Sequence, residues 1–261
     1  ASWASFSLSY FDIAYDGRIE QPSINADRDL VLQREERFPG LVIRQPSAAE
    51  AAAFLAADTD GLIDNATATA FDPASQDILA VFPNLVLFDN RVANIAIEGA
   101  RGLDFKASGE LDTAFGALSF GLNLTHTLDH DRRVTPASPA FSLLDEVGKP
   151  VDTRVRAKGG WTRGAFGAFV YLNHVDGYRN PFSTPESSID SWTTVDLSLR
   201  IEASELVDAG FFEGVDAMLS VQNLFDNDPP LFRGSLLGVL YDSTNASPFG
   251  RYLALHLAKR W

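Results

Sequence analysis

Cysteine is absent from all 261 residues and methionine occurs once. The first absence excludes disulfide frameworks and thiolate metal sites, and it fits a cell-envelope protein without fixing a compartment. Long apolar runs are missing too. None approaches the roughly 20 residues of a membrane-spanning helix, so any crossing of a membrane falls to strands. Basic residues are scarce: 21 Lys and Arg against 35 Asp and Glu leave a formal charge of -14. A phosphate binder needs a basic stripe that cannot be read here, which argues against nucleic acid and against acidic partners. No nucleophile elbow, phosphate loop or zinc-protease helix occurs, so no catalytic residue can be named and the expectation is a protein that is not an enzyme. The four histidines, at 126, 130, 174 and 256, do not form a helical metal pair. Asp129-His130-Asp131 could offer metal ligands in a loop, but three polar residues at a hairpin tip are more often just solvated, and neither metal nor cofactor is expected. The opening Ala1-Ser2-Trp3 carries no initiator Met, basic stretch or apolar stretch, the expectation for a mature protein or a fragment. No composition shift divides the chain, and residues 1–261 are read as one unit.

What the chain does have is alternation. From Ala93 to Leu111 the odd positions are nearly all apolar or small (Ala93, Ile95, Ile97, Leu103, Phe105, Ala107), while the even ones include Asn94, Glu98, Asp104, Lys106, Ser108 and Glu110. Period two with one apolar face predicts a strand, and a long one. After the turn at 112–116 the phase resumes through Leu118, Phe120, Leu122, Leu124 and Leu128, predicting a hairpin. The pattern returns at Val155 to Trp161 and Val195 to Ile201, more weakly near 3–15, 165–175 and 214–225, and last at Phe249 to Trp261. In that final strand Phe249, Leu253, Leu255, Leu257 and Trp261 share one side, interrupted near its ends by Arg251 and Lys259, which can snorkel to water.

About eight antiparallel strands result, with connections alternating short (near 112–116, 163–165 and 203–213) and long (16–90, 129–150, 176–190 and 226–247), as in bacterial outer-membrane barrels. This parity places the carboxyl terminus on the periplasmic side. Trp3, Trp161 and Trp261 then fall at periplasmic strand ends, where an interfacial girdle favours them, and Trp192 falls near the opposite rim. The segment from Asp16 to Asp89 carries 13 Asp or Glu and five Arg. Such a length predicts a folded loop, and Ser47-Ala-Ala-Glu50 before an Ala-rich run reads as a capping box opening a short helix. Ligand capture, gating and mere shielding all suit that loop. Glu98, Asp104, Lys106, Glu110, Arg154, Arg156, Lys158, Asp196, Arg200 and Glu202 fall in the inward phase, where they pair with one another or a plug, or line a transport lumen.

Two local motifs join this patterning. Val221-Gln-Asn223-Leu224-Phe225-Asp226-Asn-Asp228-Pro-Pro230 and Tyr241-Asp242-Ser-Thr-Asn245-Ala-Ser247-Pro248-Phe-Gly250-Arg251, with their spacing to the terminal aromatic, resemble the carboxyl-terminal signature of TonB-dependent outer-membrane receptors. The residue chemistry suits strand ends: Asn223 and Asp226 can bond freed backbone groups, Pro229 and Pro230 block pairing, and Gly250 allows a close backbone approach. The resemblance implies an all-β, antiparallel transmembrane β-barrel segment of about eight strands, the last part of a 22-stranded barrel with long extracellular loops. Its plug domain would lie outside this chain.

The implied function is active import of a scarce, bulky nutrient across the outer membrane of a Gram-negative bacterium: a ferric siderophore or other metal chelate, a carbohydrate or a peptide. The implied partners are the TonB complex, acting through the absent plug, the barrel-assembly machinery, outer-membrane lipid and lipopolysaccharide, and the small nutrient ligand. Substrate contact is expected in loops 16–90 and 226–247, whose acidity would disfavour strongly anionic ligands. Leu253, Leu255, Leu257 and Trp261 are implied to be the assembly signal, with Lys259 departing from its usual apolar residue. The rival expectation is a complete eight-stranded structural or adhesive barrel.

Overall fold

In the computed structural model, residues 3–22, 31–32, 34–56, 62–64, 69–71, 77–181, 183, 185–203, 206, 214–236 and 239–259 are described. Eight long strands form one sheet: β1 (Ala4–Glu20), β2 (Ala93–Thr113), β3 (Gly116–Arg133), β4 (Thr153–Arg163), β5 (Phe166–Val175), β6 (Trp192–Glu202), β7 (Val215–Gln222) and β8 (Tyr252–Lys259). They are ordered as in the sequence, and a two-residue strand, Phe141–Ser142, adds to β3. Each long strand neighbours the next because connections are either tight turns or loops that return on the same side. Among the described residues β1 and β8 do not pair, so the sheet is open rather than closed into a barrel.

The registers align the apolar rows. Leu118, Phe120, Leu122 and Leu124 of β3 stand opposite Trp161, Gly159, Ala157 and Val155 of β4. Those in turn face Ala168, Val170, Leu172 and His174 of β5. The row continues through Leu199, Leu197 and Val195 of β6, then Leu219 and Val221 of β7, and ends at Leu255 and Leu253 of β8. Because a one-residue slip would move a whole strand to the other face, this agreement over six strands fixes both faces at once. Much of the apolar face is exposed, Leu253, Leu255 and Leu257 keeping 61%, 65% and 65% of their surface, whereas the middle of the row is half-buried and Val221 is buried.

Contacts divide the chain into two units, 1–14 with 99–131 and 142–261, and 15–98 with 132–141. The boundaries fall inside β1, β2 and β3, whose lengths exceed those of the other strands. β1 runs to Glu20 and β3 to Arg133, past the expected strand ends near 15 and 128, because backbone pairing continues where the apolar alternation has stopped.

In the first unit a small cluster of Val147, Val151, Tyr178 and Ile189, with Val175 against it, packs the long connections after β3 and β5. The second unit has its own core of Val31, Phe38 and Val134, with Leu41, Val42, Phe88 and Phe141 around it. Its short strands Val42–Arg44 and Val86–Phe88 pair antiparallel, and Phe38 meets Phe88 edge to face at 5.7 Å. The expected folded loop is thus present, as is its helix, Ala48–Ala56. The capping box closes reciprocally: the Ser47 N–H donates to Glu50 Oε2 at 2.8 Å, and the Glu50 N–H donates to Ser47 Oγ at 3.2 Å. These bonds, that from the Ser47 hydroxyl first, hold the Glu50 carboxyl below its ordinary pKa.

Candidate functional site

The two motifs meet in space. Asn223 and Asp226 both take positive φ, 48° and 59°, where asparagine and aspartate are tolerated better than most residues. Asn223 donates its backbone N–H to Asp196 Oδ1 at 2.9 Å, accepts the Asn227 N–H on its Oδ1 at 2.9 Å and returns Nδ2 to the Asn227 carbonyl at 3.0 Å. The Leu224 N–H bonds the Val195 carbonyl at 2.7 Å, docking the turn on β6. Asp226 then reaches across to the second motif, where its Oδ1 accepts the Arg251 N–H at 2.6 Å. A Cβ on Gly250 would stand 2.7 Å from that same oxygen, which is why the position before Arg251 has no side chain. Ser247 Oγ accepts the Phe249 N–H at 3.3 Å. Both motifs therefore tie the exit of β7 to the entry of β8. Of the terminal-strand residues, Leu253, Leu255 and Leu257 lie on the apolar face, and Trp261 lies outside the described residues.

A second polar group was not legible in the sequence beyond its turn formers. Asp242 and Asn245 are almost fully buried. Asp242 Oδ2 accepts the Gly148 N–H at 3.0 Å and Asn245 Nδ2 at 2.8 Å, while Asn245 also donates to the Lys149 carbonyl at 2.7 Å. Arg154 of β4 donates to Asn245 Oδ1. This ties the loop after β7 to the loop before β4. The hydroxyl of Tyr178 is buried against the same group without hydrogen-bond geometry to any neighbour; burial first, and the Asp242 charge second, push its pKa up. Asp145, at φ 56°, accepts the Asp152 N–H at 2.8 Å on its carboxylate, and its carbonyl accepts the Arg179 N–H at 2.8 Å. Burial, reinforced by Asp152 and Asp176, raises its pKa against that hydrogen bond. An open depression of about 500 Å³ lies here, lined by Asp145, Asp176, Tyr178, Arg179, Ile189 and Asp190.

The polar face of the sheet carries the charges expected to point inward. Arg200 pairs with Glu202, and Thr125 donates to Asp104 at 2.6 Å. Asp196 accepts Asn173 Nδ2 at 3.0 Å besides the Asn223 N–H. Arg156 stands between Asn123 of β3 and Asn173 of β5, and Lys158 between Gly121 and Tyr171. Glu98, in the second unit, pairs with Arg18. Trp192, in register with Val175 and so on the same face as Arg154, donates to the Asn227 carbonyl at 3.4 Å, whereas Trp161 on the apolar face donates to the Phe115 carbonyl at 2.8 Å.

The expected ligand loops fall partly within the described residues. Loop 226–247 contains the hairpin Leu231–Leu236 with Val239–Tyr241, and much of 57–76 lies outside the described residues, as does most of the 203–213 turn. Asp129-His130-Asp131, expected in a loop at a hairpin tip, lies instead within β3, and Asp129 pairs with Arg101. Among the described residues no three His, Asp or Glu side chains gather as a metal site. Comparison of the chain with protein-family models, with curated proteins and with solved structures returns no match.

Proposed function

We propose that this chain forms the carboxyl-terminal part of the wall of a TonB-dependent outer-membrane receptor, an importer of a scarce, bulky nutrient. The observation that carries the reading is the exposed apolar face, continuous across six strands in register and backed by a polar face. An apolar patch of that extent is unusual on a water-soluble monomer. Strands β4, β5 and β6, at 11, 10 and 11 residues, match the roughly 9–11 residues of a tilted membrane-crossing strand. The tying of the two receptor-like motifs through Asp226, Gly250 and Arg251 supports the family resemblance. The open sheet favours a segment of a larger barrel over a complete eight-stranded one.

The absence of cysteine makes the test direct. Single cysteines placed at Val170, Leu199 and Leu255 should resist a water-soluble maleimide in outer membranes, while cysteines at Tyr171, Ser198 and Ser220 should label. Equal labelling of both sets would overturn the membrane assignment. Import that persists without the inner-membrane TonB complex would remove the transporter assignment while leaving the wall in place.

A further inference from the structure

We propose that the polar face of β3, β4 and β5 is a binding floor for an anionic ligand group, a carboxylate or phosphate oxyanion, centred on Arg156 and Lys158. The inference rests on the reading above that this face lines a water-filled lumen. The two residues are two apart on β4, so their side chains leave the same face about 7 Å from each other along the strand. Both are exposed. Among the described residues neither has a carboxylate partner, in contrast to Arg200, Arg101 and Arg251, each paired with an acid. Nor is either relieved by a cross-strand acid. The register places Asn123 and Asn173 beside Arg156, and Gly121 and Tyr171 beside Lys158. Of the acids on this face, Asp104 accepts from Thr125, Asp196 accepts from Asn173 and the Asn223 N–H, and Glu202 pairs with Arg200; none of them is in register beside Arg156 or Lys158.

The surroundings suit an oxyanion. The amide N–H groups of Asn123 and the phenol of Tyr171 can donate beside the cations, Asn173 being committed to Asp196 and Thr194, and a planar guanidinium fits a carboxylate or phosphate in two parallel bonds. Lys158 is positioned by Phe169, whose ring centroid lies 5.9 Å from Nζ and whose ring covers Gly160. This floor opposes in sign the chain's formal charge of -14. That charge acts at long range and is screened beyond about 8 Å in physiological salt, whereas the two cations act in contact. A ligand that carries its negative charge at one end is therefore favoured over a neutral sugar or peptide.

The test uses the full chain in detergent micelles at fixed ionic strength, with citrate and inorganic phosphate as probes. Binding is read as protection of Arg156 from phenylglyoxal, located by mass spectrometry, with Arg163 at the end of the same strand as the internal control. The expected result is saturable protection of Arg156 alone. R156Q or K158Q should weaken the citrate affinity, measured by calorimetry, about tenfold, in line with loss of a charge-assisted bond, and R163Q should leave it unchanged. No protection, equal protection of Arg163, or protection by an acidic peptide but by neither small anion would overturn the proposal. Labelling at Ser198→Cys separates the two levels. If that cysteine is accessible and citrate still does not bind, the anion floor alone fails; if it is inaccessible, the lumen reading fails with it.

Discussion

At the scale of single residues, exposed Asp226 and buried Tyr178 show how differently two polar groups contribute. The Asp226 carboxylate caps a strand entry 25 positions away, and its oxygen leaves no space for a Cβ at Gly250. G250A should therefore push the exposed Asp226 carboxylate aside, costing about 0.5–1 kcal/mol and read as faster amide exchange at Arg251, because the cap bond must shift while the backbone need not. D226A should raise the same exchange by removing the acceptor outright; protection of the Arg251 N–H in D226A unchanged from the parent chain would refute the cap. Tyr178 reverses the logic. Its hydroxyl is buried beside Asp242 and Asn245 without hydrogen-bond geometry to any described residue, while its ring packs on Val147, Val151 and Ile189. Y178F should be neutral or slightly stabilising, whereas Y178A should cost about 3–5 kcal/mol through the cavity it leaves, as measured by thermal unfolding in detergent.

Among the elements, the helix Ala48–Ala56 was legible because its start signal is local. The four residues Ser47 to Glu50 contain both halves of the capping box, and Ala tolerates helix best of all residues. The folded pKa of Glu50 is lowered, so the stabilisation by its charged form is present above the unfolded carboxylate pKa and is lost as pH falls through the folded value. Amide protection over 50–53 should accordingly drop as pH falls through the folded carboxyl's range, and S47A, which keeps the backbone N–H bond but loses the hydroxyl, should shrink that step; an unchanged step would place its origin elsewhere. Asp145 has the opposite sign. Its folded pKa is raised by burial, so the turn it anchors loses stability as pH rises through the carboxylate range. The strands were legible by alternation, but their ends were not, because β1 and β3 continue past the apolar alternation, where backbone pairing is joined by the ion pairs of Arg18 with Glu98 and Asp129 with Arg101.

On the whole-molecule scale, a sheet with one apolar face and, among the described residues, no strand beyond β1 or β8 has a direct consequence for handling. Without detergent the chain should associate through β1, β8 and the leucine rows, and in detergent it should remain dispersed. A closed barrel resists unfolding in detergent at room temperature; an open sheet lacks the continuous ring of hydrogen bonds. The isolated chain should therefore show the same gel mobility boiled and unboiled, and a heat-dependent shift would refute the open sheet. The sequence by itself determined the strand class, the turn and cap positions and the division into apolar and polar rows, since each depends on residues a few positions apart. Tertiary structure decided that the rows stack in register, that Asp226 meets Arg251, that Asp242 and Asn245 are buried around Arg154, and that Arg156 and Lys158 stand among amides rather than acids. Period two says which side chains share a face of one strand; only pairing between distant strands says which neighbour each of them meets.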